Sequence, residues 1–231
     1  MTKFDIITIF PEAFSYLNES ILKRAQKKGL LEIKIHNLRD FTTDKHHKVD
    51  DKSYGGGPGM VLQVEPITKA VRSITSKTKK TLPRVILFSA AGKRFDAKIA
   101  QQLAKKDNHL ILICGHYEGI DERTKKVLSG MGLKVEEISI GSYVLSGGEL
   151  AAMVLIDAIS RHIPGVLGKE GSLEEKRLGI GVPVYTRPET FILPALKRQK
   201  SKKNYLVPKV LLSGNHEKIN QWRLSHRKKL H

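Results

Sequence analysis

Three glycine-bearing turns are the part of this sequence best suited to hold a small molecule through main-chain atoms: Ser89-Ala90-Ala91-Gly92, Cys114-Gly115-His116-Tyr117-Glu118-Gly119, and Ile140-Gly141-Ser142-Tyr143-Val144-Leu145-Ser146-Gly147-Gly148. Each follows a short apolar run that reads as a strand. In an open parallel sheet the carboxyl ends of neighbouring strands face one crevice, where ligands bind. Glycine has no Cβ, so backbone N–H and C=O groups approach a ligand closely, and such groups can read the edge of a purine. One such turn alone is explained as well by a tight turn without a ligand; three in succession favour a shared pocket. A fourth stretch, residues 49–60 (VDDKSYGGGPGM), carries Gly55, Gly56, Gly57 and Gly59 and almost no side-chain bulk. It reads either as a flexible surface loop or as a loop that orders against a substrate and packs its main chain on a base or ribose. In the second case Asp50 and Asp51 offer carboxylates beside that substrate.

Other chemistries fail on spacing. No G-x-G-x-x-G follows the first strand, which disfavours a nicotinamide dinucleotide fold. Gly92-Lys93 lacks the upstream glycine of a phosphate-binding loop, and no H-E-x-x-H zinc helix is present. His46 and His47 are adjacent and so do not share a helical face, leaving no metal site to propose. Cys114 is the only cysteine, which excludes an intrachain disulfide or a multi-cysteine zinc site. It ends an apolar strand and reads as a buried, inert thiol.

The turns need elements to position them. Strands are expected at residues 3–10, 31–38, 84–88, 109–114 and 134–140. Helices are expected over residues 11–28, closed by Gly29, over 66–76, from a cap at Asp96 to 105, from near 121, and over 149–162. Residues 39–60 read as a long loop. The alternation argues an α/β fold with a mostly parallel sheet covered by helices. The 149–162 helix (ELAAMVLIDAIS at its core) is apolar nearly all round, which places it inside the protein or in an interface. Residues 1–162 thus form one domain and 163–188 a Gly- and Pro-rich linker. Residues 189–231 form a small basic unit, with a short helix near 189–197, a Leu/Val stretch at 206–212 and a basic helix from Asn215.

The chain has 231 residues, 41 Lys plus Arg and 23 Asp plus Glu, for a formal net charge of +18. Hydrophobic content is 40%, which excludes a disordered chain. No apolar run reaches the ~20 residues that span a bilayer, and no secretion signal is visible, so a cytoplasmic protein without membrane contact is expected. Eleven of the basic residues and one acid, Glu217, lie in residues 197–231. A solvated tail would look the same, but charge of this size favours a polyanionic partner, most often nucleic acid, loaded through phosphate contacts.

FDIITIFPEAF, VDDKSYGGGPGM, ILICGHYEGIDER, ISIGSYVLSGGELAAMVLIDAISRHIPGVLG, YTRPE and VLLSGNHEKINQWR occur in one order along nearly the whole chain. With them the sequence resembles the bacterial tRNA (guanine-N1)-methyltransferase family. The resemblance implies the SPOUT class, with a trefoil knot in the C-terminal part of the α/β domain, a homodimer, and S-adenosylmethionine bound in the knot. It also implies tRNA contacting both subunits and, in residues 189–231, a shortened helical tRNA-binding domain. The implied donor residues are Leu87, Phe88, Ser89 and Ala90; Gly115, Tyr117 and Glu118; Ser139, Ile140, Gly141, Ser142, Tyr143, Val144 and Leu145; and Gly147 and Gly148. The expected RNA contacts combine the loop residues Asp50, Gly55, Gly56, Gly57 and Gly59 with the basic Lys202, Lys203 and Arg223.

The implied reaction is methylation of N1 of guanine 37, the base 3′ of the anticodon, which must be exposed or flipped to be reached. Guanine N1 carries a proton at neutral pH, so a general base must remove it. Charge then develops toward O6, where an Arg or Mg²⁺ stabilises it; the family's arginine matches Arg161. On residue type alone, Arg161 is a helix-end cation favoured by the helix dipole. The family's aspartate base falls on Lys176 by ungapped counting, and a protonated Lys cannot accept a proton. Glu175 is preferred as the base, with Glu174 the second choice. Ala90-Ala91 and Ala151 also stand where the family has Pro-Gln and Pro. The Lys176 departure leaves one alternative, a non-catalytic RNA-binding protein that retains the fold.

Overall fold

The computed structural model describes residues 1–76, 81–168, 181–193 and 203–227. They belong to two compact units, Met1–Gly168 and Lys169–His231.

The first unit is built on five parallel strands: β1 (Thr2–Thr8), β2 (Leu31–Asn37), β5 (Arg84–Arg94), β6 (His109–Ile113) and β7 (Lys134–Ser139). Their order is β2-β1-β6-β5-β7, and every pairing is parallel. The strands alternate cleanly. Phe4, Ile6, Leu110 and Leu112 point to one core, which α1 (Ser20–Lys27), α3 (Ala97–Lys106) and α5 (Glu149–Ser160) cover. Ile7, Val85, Ile111 and Ile113 point to the other, under α2 (Val64–Thr75) and α4 (Arg123–Gly130). Both faces are therefore buried, as a parallel sheet requires, and each fully buried Ile or Leu contributes roughly 1.5–3 kcal/mol.

Local signals place most elements. Asp96 caps α3, its Oδ1 accepting from the Ile99 N–H at 2.7 Å. In the second unit Asn215 caps α7 (His216–Ser225) through the Lys218 N–H at 3.1 Å. Four differences from the sequence reading have physical causes. The single helix expected over 11–28 is a 3₁₀ helix, Pro11–Asn18, then α1, whose first residue, Ser20, is left-handed at φ 50. Phe14 and Leu17 are both buried, three residues apart, which suits a 3₁₀ period. The loop expected at 39–60 contains a 3₁₀ turn (Leu38–Phe41) and an antiparallel pair, β3 (Asp50–Lys52) with β4 (Met60–Leu62). β5 does not stop at Phe88: its pairing with β7 is interrupted after Phe88 and resumes at Lys93↔Ile138, so the first glycine turn is an excursion within a strand.

The fourth difference lies in the second unit. The helix expected near 189–197 is instead a strand, β8 (Thr190–Leu193), paired antiparallel with β9 (Lys203–Leu206). Pro188 and Pro194 bracket it, and Thr190, Phe191 and Ile192 are β-formers. The 206–212 stretch ends in a short helix, α6 (Lys209–Leu212).

Candidate functional site

β6, β5 and β7 are neighbours in the sheet, so the three glycine turns leave adjacent strand ends. They meet around one cavity of about 330 Å³, within the ~300–1,000 Å³ of small-molecule pockets. Of the sixteen residues expected to hold a donor, fifteen line it: residues 87–90, Gly115, Tyr117, Glu118, residues 139–141, residues 143–145, Gly147 and Gly148. Ser142 does not; its Oγ accepts from Arg94 Nη1 at 3.1 Å.

The walls are fastened to each other. The Gly148 N–H donates to Gly115 O at 2.8 Å, and His116 and Gly147 form an antiparallel bridge. A Cβ on Gly148 would lie 2.8 Å from Cys114 Cα and 3.1 Å from Gly115 N, so backbone lies against backbone and only glycine fits. Ser139 Oγ donates to Gly141 O at 2.9 Å and closes the start of the third turn.

The glycine-rich 49–60 stretch is joined to the same rim. The Glu118 N–H donates to Met60 O at 3.1 Å, Leu62 N–H to Gly119 O at 3.0 Å, and Asp121 N–H to Leu62 O at 3.0 Å. Gly55, Gly56, Gly57 and Gly59 lie at the exposed tip between β3 and β4, and half-buried Asp50 opens β3. A Cβ on Gly59 would stand 2.6 Å from Glu118 Oε1, so the tip abuts a cavity carboxylate.

The cavity also takes in residues beyond those expected to hold a donor: His116, residues 119–122, Thr124, Lys125, Glu137, Ile138, Ser146 and Ala151. His116 had a signal, lying between Gly115 and Tyr117 in the turn already singled out. Its Nδ1 and the Thr124 Oγ1 are buried with no hydrogen-bond partner among the described residues. Unpaired buried polar atoms are costly, so a polar ligand fits this wall. Lys125 pairs with Glu137 at 3.0 Å and with Glu122. Asp121 is held below the usual carboxylate range by hydrogen bonds from Arg123. Glu118 has no ion pair among the described residues. Burial pushes the Cys114 thiol well up, with the Glu149 charge adding to the effect, so this cysteine is inert.

Arg161 is not part of the cavity. It caps the far end of α5, a helix of 12 residues, about 18 Å long at ~1.5 Å per residue, whose other end abuts Gly148. Leu150 and Val154, 57% and 48% exposed, share the outward face of α5 with Asp157 and Arg161. Glu174, Glu175 and Lys202 lie outside the described residues; Lys203 and Arg223 lie on β9 and α7 of the second unit. No group of three or more His, Cys, Asp or Glu able to hold a metal ion occurs among the described residues. No helix among them is long and apolar enough to cross a membrane.

A sequence model of the family described as tRNA (Guanine-1)-methyltransferase TrmD matches residues 2–230. The chain belongs to this family. It is 53% identical over 227 residues to a tRNA (guanine-N(1)-)-methyltransferase of Dictyoglomus turgidum, covering 96% of this chain and 84% of that one. A protein of the same description from Carboxydothermus hydrogenoformans is 51% identical, with 96% and 81% covered. One from Bacillus cereus is 47% identical, with 96% and 85% covered.

Proposed function

We propose that this chain methylates N1 of guanine in tRNA with S-adenosylmethionine as donor, at position 37 beside the anticodon. The observation that carries the reading is the convergence of fifteen expected donor residues on one cavity in a chain of this family. Backbone groups of residues 139–141 and 143–148 would hold the adenosyl group. Glu118, free of an ion pair among the described residues, would face the donor's positive groups. Bound there, S-adenosylmethionine supplies an already electrophilic sulfonium methyl, so the chain needs no nucleophile of its own. Glu175, or Glu174, takes the proton from guanine N1, and the Arg161 guanidinium stabilises the charge that develops on O6.

The length of α5 bears on assembly. Arg161 stands about 18 Å along α5 from the cavity rim, so within one copy it is distant from a base beside the donor. The reading is therefore a homodimer. The outward stripe of Leu150, Val154 and Arg161 would meet the second copy, and Arg161 would serve its partner's cavity. Mg²⁺ is not assigned a protein site. The reading also carries the trefoil knot of the SPOUT class in the C-terminal part of residues 1–162, a linker at 163–188, a basic tRNA-binding unit at 189–231, and work in the cytoplasm.

The test is methyl transfer to tRNA transcripts carrying G37 or A37. Transfer to G37 alone is expected. Glu175→Gln should lower kcat by about 10²–10⁴-fold, the usual weight of a general base, and Arg161→Ala by about 10²–10³-fold. S-adenosylmethionine affinity should be unchanged in Glu175→Gln. No transfer by the unmodified protein would favour the non-catalytic RNA-binding reading, for which Lys176 is the motive.

A further inference from the structure

The β8–β9 hairpin lies in the second unit and carries a cluster of exposed rings. Phe191 and Tyr205 are direct partners across the two strands, with ring centroids 6.4 Å apart at 40°. They are 55% and 47% exposed. Lys203, two residues before Tyr205 and so on the same face, holds its Nζ 5.3 Å from the Tyr205 ring centroid. The opposite face carries Ile192 and Leu206, also exposed. A two-stranded ribbon with apolar side chains in water on both faces is marginal alone, and exposed aromatics in a cluster mark a binding surface.

Charge selects the occupant. Between Glu189 and Glu217 the sequence holds six Lys or Arg and no acid. The same segment of a second copy would bring the same charge and be repelled. A polyanion is attracted, and among polyanions only a nucleic acid also offers flat apolar rings. Successive bases stacked on aromatic side chains beside a basic groove are how proteins hold single-stranded nucleic acid. We propose that the Phe191–Tyr205 face is a stacking platform for an unpaired nucleobase of the RNA substrate, with Lys203 exchanging the Tyr205 ring for an adjacent phosphate. This rests on the reading that the chain acts on tRNA, and it assigns to the hairpin a role in base contact rather than in charge alone.

The experiment is equilibrium binding of unmodified tRNA by the full chain at several salt concentrations. Tyr205→Leu and Phe191→Leu, which keep an apolar side chain, should each weaken binding by about five- to a hundredfold, with an unchanged salt slope. Tyr205→Trp should bind as the parent does. Lys203→Gln should lower the salt slope by about one. Ile192→Ser, on the other face, serves as the control and should bind as the parent does. Parent-like binding by both leucine variants would overturn the proposal, as would an equal loss in Ile192→Ser. So would a shift from dimer to monomer in the double leucine variant, which would make the hairpin a protein interface. S-adenosylmethionine affinity, measured on the same proteins, reports on the first unit. A parent chain that binds tRNA through the two rings but transfers no methyl would sink the proposed function and leave the platform standing.

Discussion

At the carboxyl ends of β5, β6 and β7 the sheet leaves polar atoms unpaired, whereas on β1, β2 and β6, outside the cavity, it ties up a buried charge completely. Asp5, 1% exposed, sits between two histidines: His36 Nε2 lies 2.6 Å from Oδ1 and His109 Nε2 2.6 Å from Oδ2. Lys3 stands 3.9 Å from the same carboxylate and 3.7 Å from Glu32, which pairs with Lys34 at 2.7 Å. Asp5 thus has both oxygens engaged, and the ionic cluster locks three neighbouring strands. In the cavity, by contrast, His116 Nδ1 and Thr124 Oγ1 lack hydrogen-bond partners among the described residues, and Glu118 makes no ion pair among them. The same sheet spends one set of polar groups on rigidity and keeps another available for a ligand.

The sharpest way to break this comparison is at Asp5. Asp5→Asn should cost about 3 kcal/mol of stability, because removing one partner strands the others, while the S-adenosylmethionine Kd of the folded protein stays as it was. A matching loss of donor affinity would mean that the two regions are coupled. Burial alone would raise the Asp5 pKa; the His109 and His36 hydrogen bonds outweigh it and hold the carboxyl well below its ordinary range. A depressed native pKa gives stability that is present above the unfolded value of ~3.9 and lost as pH falls below it. The urea midpoint of the parent should therefore fall progressively as the pH drops below about 5, and Asp5→Asn should flatten that drop.

Next in size is Gly148→Ala. A methyl group 2.8 Å from Cys114 Cα must push backbone aside. Overpacking costs ~1–3 kcal/mol, read here as roughly 10- to 100-fold weaker S-adenosylmethionine binding by calorimetry. Parent-like affinity would show that this junction is not part of the donor wall. The smallest effect is expected at Ser142, the one anticipated residue outside the cavity. Ser142→Ala should change donor affinity by less than about twofold, as a surface substitution within ±0.5 kcal/mol does.

The parallel sheet was legible because strands such as HLILI and helices with a visible cap at Asp96 obey local rules. The cavity was legible because glycines marked where backbone meets backbone. The hairpin of β3 and β4 was hidden because polar DDK and short MVL carry no period, and it is long-range pairing of Leu62 with residues 119–121 that secures the latter strand. The role of His116 is not legible in its turn, since a histidine's partners are not encoded beside it. The β8 strand is not legible because four residues are too few for periodicity to separate strand from helix.

The excursion in β5 has a mechanical corollary. The strand leaves the ladder after Phe88 and rejoins it at Lys93 and Arg94, and Phe95 N–H is then bound to Ser139 O at 2.8 Å. Residues 89–92 are thus a handle riveted at both ends, unable to swing like a hinged flap. The cavity side chains that stand far out in solvent belong instead to the other two turns, where Tyr117, Tyr143 and Val144 are 47%, 55% and 87% exposed; whatever binds there meets adjustable side chains beside a backbone pinned at each end.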